Sequence, residues 1–199
     1  MTTTYATLSD LRQAVVTRHR NPEWAAKMLH AVPDLPTVPD RAKYLVEKAT
    51  GQVVLDLGCT GPISERIRAV ATTYYGIDAR PGAHEVVDLD AQPDALPIHE
   101  DVTVIIASEL LEHLANPGRF LASLRARYPD RPVYVTVPQA GAYQVENGTH
   151  EVVNGEHVAW YSYTTLKTLV TRYGYTISQA AWYHGNPHKA EGIIMVLTG

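Results

Sequence analysis

Apolar positions along this chain follow two periods in succession, and the change of period separates its elements. Over residues 5–50 the spacing is helical. Leu8, Leu11, Val15 and Val16 mark one amphipathic piece. Trp24, Met28 and Leu29 mark a second, with Asn21 and Pro22 as N-cap and first helical residue. Ala42, Leu45, Val46 and Ala49 mark a third, beyond a proline-broken link over 32–40. From residue 53 onward short runs rich in β-branched residues take over. They predict strands at 53–57, 74–78, 84–89, 102–107, 133–137, 175–183 and 192–197. Helical spacing returns between them: at Ile63, Ile67 and Val70, then at Phe120, Leu121 and Leu124 behind Asn116-Pro117. A last helix carries Leu166, Leu169, Val170 and Tyr173 between a Ser162 cap and a Gly174 stop.

Strands alternating with helices predict an α/β, Rossmann-like fold. It is a seven-stranded, mostly parallel sheet with an antiparallel last strand, helices on both faces and a helical N-terminal cap. Only a short loop joins the last strand to its predecessor, which is why that strand is expected to be antiparallel. Residues 1–50 form the cap and 51–199 the main unit, one globular body overall. Ligands of such sheets bind beyond the carboxyl ends of the strands. That rule places 58–62, 78–82, 88–93, 107–116 and 138–158 on the working face, with the 184–190 loop beside them. The polar excursion over 138–160 is too long for an ordinary connector and reads as functional. The first strand runs into Asp56-Leu57-Gly58-Cys59-Thr60-Gly61-Pro62, and the second ends in Asp78. Strand, glycine turn, helix, strand and an acid about twenty residues on describe half of a nucleoside-binding domain.

Composition narrows the function classes. A net charge of −4 argues against duplex nucleic acid as a partner, because such binders present a basic face. The arginines over 125–131 read as a solvated surface. One cysteine excludes an internal disulfide and any multi-cysteine metal site. No run of about 18 apolar residues is present, so no membrane span is expected. The first residues lack the basic-then-apolar layout of a secretion signal, and a cytoplasmic compartment is expected.

The order of elements, with DLGCTG after the first strand and GID ending the second, resembles the class I S-adenosylmethionine-dependent methyltransferases of the small single-domain type. ASELLEHLANP after the fourth strand and HVAWYSYTTLKTLVTRYGY before the sixth carry the resemblance on, so that it spans about residues 40–199. The family's glycine loop, D-x-G-x-G-x-G, is kept in part by Asp56, Gly58 and Gly61. Thr60 replaces its middle glycine, and Pro62 follows its last. The resemblance implies S-adenosyl-L-methionine as cofactor. Gly58, Cys59 and Gly61 would let backbone approach its amino-acid end, and Asp56 would accept from the loop or, through water, from the ammonium. Asp78, with Ala79 beside it, would take the ribose hydroxyls. Asp90 (or alternatively Asp88) would accept from the adenine amino group, followed by Ala91, and Ser108 would complete the cofactor wall.

Glu109-Leu110-Leu111-Glu112-His113 adds a second kind of chemistry. On a helical turn Glu109 and His113 share a face, and two carboxylates with an imidazole could hold a hard divalent cation. An E-x-x-E-H motif also occurs in the ubiquinone-pathway O-methyltransferases and in the small-RNA 3′-end 2′-O-methyltransferases. In the latter a further ligand is a histidine after the fifth strand, where this chain has His157. The preferred reading uses no metal; a metal, if used, would take Glu109, Glu112, His113 and His157. Without one, His113 or His157 is the candidate base, since an imidazole titrates near working pH. Tyr143, His150, His184 and His188 fall on segments facing the same cleft. Trp160, Tyr161 and Tyr163 are expected to pack at the start of the last helix.

These readings lead to a methyltransferase that uses S-adenosylmethionine to methylate a hydroxyl or amine of a small molecule, such as a natural product or sugar. The alternatives are a divalent-metal-dependent 2′-O-methyltransferase acting on an RNA end and a non-catalytic module that only binds S-adenosylmethionine. A nicotinamide-binding domain fits less well, because its fingerprint wants G-x-G-x-x-G directly after the strand and a second domain for the hydride acceptor. Oligomeric state is open, a homodimer included.

Overall fold

The computed structural model describes residues 32–140, 155–184 and 191–199, together with Glu23, which is helical. The first two amphipathic pieces, Tyr143, His150 and His188 lie outside the described residues. The sheet has eight strands in the order β1-β7-β8-β6-β5-β2-β3-β4. They are β1 (Thr37–Val38), β2 (Val53–Leu57), β3 (Thr73–Asp78), β4 (Glu85–Val86), β5 (Val104–Ser108), β6 (Val133–Pro138), β7 (Thr176–Tyr183) and β8 (Gly192–Thr198). All neighbours run parallel except β8, which is antiparallel to both β6 and β7. The mostly parallel sheet with an antiparallel last strand is thus as expected, with one strand more. That strand, Thr37–Val38, pairs with Trp182 and Tyr183 from inside the stretch read as a proline-broken link. Two residues hemmed by Pro36 and Pro39 leave no periodicity to read.

Helices α1 (Arg41–Ala49), α2 (Pro62–Val70), α3 (Pro117–Arg127) and α4 (Tyr163–Arg172) cover the two faces. Successive residues of β2 point to opposite sides. Val54 packs with Val104 and Ile106 under Leu45 and Ala49 of α1 and Ile67 of α2. Leu55 and Leu57 join a larger cluster on the far side, with Phe120, Leu121 and Leu124 of α3 and Leu166 and Val170 of α4. A strand buried on both faces reads as a continuous apolar run, and β2 departs from that only at Asp56. The helix starts are capped as the sequence indicates. Asn116 accepts from Arg119 N at 3.0 Å, and Ser162 and Thr165 form a reciprocal capping box. Gly174 closes the last helix at φ 85°.

Two local expectations fail. The third predicted strand shrinks to Glu85–Val86, because Asp88 Oδ1 accepts from the N–H groups of Asp90 and Ala91, at 3.0 Å each, and turns the chain. Residues 109–113 form no continuous helical turn. Glu109 takes a left-handed φ of 53°, and only Leu111–His113 coil, as a single 3₁₀ turn.

β2 lies between β3 and β5. The chain moves outward through β3 and β4, then returns to β5 and β6 on the other side. Strand order therefore reverses between β2 and β5, which opens a crevice beyond their carboxyl ends.

Gly192 faces Tyr183 across the β7–β8 pair, and a Cβ there would fall on the buried Tyr183 ring. Alanine ordinarily suits a strand interior better than glycine by about 0.5–1 kcal/mol. Here the sign reverses: Gly192→Ala is expected to cost about 1–3 kcal/mol in urea unfolding. A midpoint equal to or above that of the parent chain would refute this.

Candidate functional site

A cleft of about 600 Å³ opens at the switch point. Its size lies within the roughly 300–1,000 Å³ of small-molecule sites. Of the sequence-predicted residues it brings together Asp56, Gly58, Gly61, Asp78, Ala79, Asp90, Ser108, Glu109 and His113. Cys59, Ala91, Glu112 and His157 do not line it. The Cys59 thiol turns back over β3, 2.9 Å from where a Cβ on Gly76 would stand. Burial, with the charges of Asp56 and Asp78, pushes that thiol up to about 11, so it stays protonated at neutral pH.

Gly58 ends β2 with φ 79°, a conformation that disfavours any side chain, and a Cβ there would stand 3.3 Å from Leu110 Cδ1. Its N–H and that of Cys59 both donate to Ile77 O, at 2.8 and 3.3 Å. These two amides are therefore engaged within the fold. The amides of Thr60 and Gly61, which no described residue accepts from, are the ones left at the mouth of α2. Gly61 has an ordinary φ of −122°, and a Cβ on it would meet nothing, so the space above it is open. Pro62 follows at the first helical position, and no side chain caps the helix.

The departure from the family's glycine loop has a local use. Thr60 Oγ1 donates to Asp78 Oδ2 at 3.0 Å, while Arg80 N donates to Asp78 Oδ1 at 2.8 Å. Asp90 and Asp88 both reach the cleft. Asp90 Oδ1 accepts from Ala115 N at 2.8 Å and Asn116 N at 3.2 Å, whereas the Asp88 carboxylate is spent on its own turn. Asp56 is 2% exposed and accepts from the Tyr74 hydroxyl at 2.7 Å. Burial raises its pKa against the pull of the Ser64 and Tyr74 hydroxyls.

The two glutamates of the ELLEH stretch go separate ways. The left-handed backbone at Glu109 breaks the helical spacing to His113, so the shared helical face expected for the two does not form. Arg41 Nη1 stands 2.7 Å from Glu109 Oε1, an ion pair approached off the hydrogen-bond axis. Thr136 Oγ1 donates to the same oxygen at 2.9 Å, and the Tyr183 hydroxyl reaches the carboxylate at 3.2 and 3.3 Å. Arg41 also lies over the Tyr183 ring, 5.1 Å from its centroid. Glu112 instead enters the interior at 1% exposure, and among the described residues neither carboxylate oxygen has a hydrogen-bond partner. Burial, then repulsion from Glu109, pushes it up to about 8.

Donor atoms of Glu112, His113 and His157 lie within 4.8 Å of one another. The two imidazole rings meet edge to face at 4.7 Å, and Trp160 packs on His157 at 5.0 Å. His113 Nδ1 is 3.1 Å from the Glu156 carbonyl oxygen. Burial and the neighbouring His113 lower the His157 pKa. Tyr161 is buried, as expected for packing, and its hydroxyl donates to Leu111 O. His184 stands apart, 3.9 Å from Glu191. Sequence reasoning missed Arg41, Tyr74, Thr136 and Tyr183. Only Arg41 left a signal, as the residue directly after the helix cap Asp40, whose side chain accepts from Lys43 N.

Fold and cleft together define a class I S-adenosylmethionine-dependent methyltransferase fold. The chain belongs to the methyltransferase-domain family, which matches residues 16–180. Among solved structures it is similar to a SAM-dependent methyltransferase from Archaeoglobus fulgidus (13% identity, TM-score 0.61, covering 79% of this chain and 90% of that one). It is also similar to the 1,6-didemethyltoxoflavin-N1-methyltransferase of Burkholderia thailandensis (14% identity, TM-score 0.55, 100% and 94%). A third likeness is to the small RNA methyltransferase HEN1 (13% identity, TM-score 0.62, 79% of this chain and 25% of that one). No curated protein sequence matches. Among the described residues no helix is long and apolar enough to cross a membrane.

Folding raises the Glu112 carboxyl from its usual 4.5 to about 8. Between those pH values the folded chain holds a proton that the unfolded chain has lost, so stability falls as pH rises from about 4.5 to about 8 and then levels. Glu112→Gln is expected to remove this fall. Urea unfolding in chelator should show an advantage of the variant that grows up to about pH 8. An advantage independent of pH would refute the burial argument.

Proposed function

We propose that this chain transfers a methyl group from S-adenosylmethionine to a hydroxyl or amine of a small molecule. One observation carries the reading. A single cleft joins the left-handed Gly58 turn and the open mouth of α2 to the Asp78 carboxylate at the end of β3. The residues fit such a cofactor: free backbone space over Gly61 at one end, and at the other a carboxylate whose donors among the described residues are one hydroxyl and one amide. Thr60 and Gly61 would bind the amino-acid end over the bare backbone of Gly58, Asp78 the ribose hydroxyls, and Asp90 the adenine edge.

When bound, the cofactor supplies a methyl group already activated by its sulfonium. The protein's own work is then to align the acceptor, exclude water and receive a proton. His113 suits the last task. Its ring lines the cleft, and donation from Nδ1 to the Glu156 carbonyl leaves Nε2 as the basic nitrogen. His157 lies behind it, kept neutral by burial and by His113. The size of the cleft and the acidic balance of the chain favour a small acceptor over a polyanion.

A second reading rests on Glu112. A fully buried carboxylate without a partner among the described residues, beside two imidazoles, is the donor set of a divalent transition metal. Glu112, His113 and His157 would hold the ion. Glu109 would not, because Arg41 and Tyr183 already hold it. A metal there would lower the pKa of an acceptor hydroxyl. This reading fits the RNA-end alternative.

Calorimetry with S-adenosylhomocysteine tests the first step. The parent chain should bind it, and Asp78→Ala should lose at least about tenfold in affinity, the scale of a hydrogen bond to a charged group. No binding by the parent chain ends the proposal. Methyl transfer to a panel of small hydroxyl and amine acceptors should persist in excess chelator. Turnover that stops in chelator and returns with Mn²⁺ selects the metal-dependent reading instead. Binding of the cofactor product with no methylated acceptor from either panel, small-molecule or RNA, would favour the non-catalytic module.

A further inference from the structure

Asp56 is held by side chains that methyl transfer leaves unused. The β2–β3 ladder pairs Asp56 with Gly76, so Tyr74, two residues earlier on β3, lies on the same face. Its ring runs along the strand over Gly76, where a Cβ would stand 2.7 Å from the ring's Cε1. The missing side chain at 76 is what lets the ring lie flat and its hydroxyl donate to Asp56 Oδ2 at 2.7 Å. The Ser64 hydroxyl, from the first turn of α2, lies on the same side and favours the charged form of this carboxylate, and the Arg68 guanidinium covers the ring 5.4 Å from its centroid. Tyr74 does not line the cleft, but Asp56 does, next to Gly58.

We propose that Tyr74, seconded by Ser64, is a positioning residue that fixes the Asp56 carboxylate to receive the ammonium of the cofactor's amino-acid end. The inference rests on the S-adenosylmethionine reading and deepens it. Burial, with the nearby Asp78, raises the pKa of this carboxylate, and the Tyr74 and Ser64 hydroxyls pull the other way by favouring its charged form. The Tyr74 hydroxyl keeps its own proton, because burial and Asp56 hold its pKa far above the usual tyrosine value. It therefore stays a donor at every working pH. The arrangement is also local to one end of the ligand. Asp78, at the ribose end, is held separately by Thr60 and Arg80. Loss of the Tyr74 hydroxyl should weaken a ligand that carries the ammonium and spare a nucleoside that lacks it.

Calorimetry on the full chain with two ligands tests this. S-adenosylhomocysteine carries the amino-acid end; 5′-methylthioadenosine keeps the nucleoside and the sulfur without it. Tyr74→Phe is expected to weaken the first about tenfold and to change the second by less than about twofold. Ser64→Ala should show the same selectivity with a smaller loss, and it carries the test alone if Tyr74→Phe fails to fold. Equal losses for both ligands, or no loss for either, would overturn the proposal. A parent chain that binds neither ligand overturns the cofactor reading itself, a result distinct from binding that the variants leave unchanged.

Discussion

The carbonyl of Ile77 sets the geometry of the working end. It accepts from both Gly58 and Cys59, which adds one more rung between β2 and β3 while the first chain is already leaving the sheet. Residue 58 does this in the left-handed region, which favours glycine, and a side chain there would also press on Leu110, 3.3 Å from its Cδ1. The direction of departure then places the neighbouring elements. α2 begins a few residues later over the same sheet face as Asp56, and Leu110 anchors the segment after β5. A single backbone turn thus ties together loops from three strands that are distant in sequence.

At the end of β5 the constraint is electrostatic. Glu109 keeps a strained left-handed backbone, worth about 1–3 kcal/mol, because Arg41, Thr136 and Tyr183 all hold its carboxylate. Those partners come from the start of α1, from β6 and from the end of β7, so the contact is assembled only when the sheet is complete. The same turn sends Glu112 into the interior. Two acids three residues apart therefore meet opposite environments: one is balanced by a guanidinium, the other by nothing but a proton or a ligand.

What the sequence disclosed, and what it did not, depends on the range of each interaction. The strands at 53–57, 74–78, 133–137 and 192–197 were legible because each is a short run dominated by apolar, β-branched or aromatic residues, broken only at single positions such as Asp56, Gly76 and Thr136. Asp56, Gly58 and Asp78 were legible because strand, turn and strand fix their spacing within one βαβ unit. Arg41 and Tyr183 were hidden, since only the β1–β7–β8 edge brings positions so far apart in sequence together. Glu109 misled for a different reason. Three- and four-residue spacing assumes a right-handed turn, and no local pattern announces a left-handed glutamate held by distant partners. β4 was overestimated because a side chain, Asp88, took the amide hydrogens that a longer strand would have used.

Thr60 shows how a departure from a family pattern can be absorbed. A glycine there would give the loop freedom, whereas threonine costs freedom and gains a hydroxyl, which the fold directs to Asp78. The glycine turn and the acid of the next strand are thereby coupled before any ligand arrives. That coupling lies wholly on the β2–β3 side of the switch point. The ion-paired Glu109 and the Glu112–His113–His157 group lie wholly on the β5 side. The cleft is thus lined by two walls that meet over Gly58 and are tied at the Asp90 carboxylate, which accepts from Ala115 N and Asn116 N beyond β5.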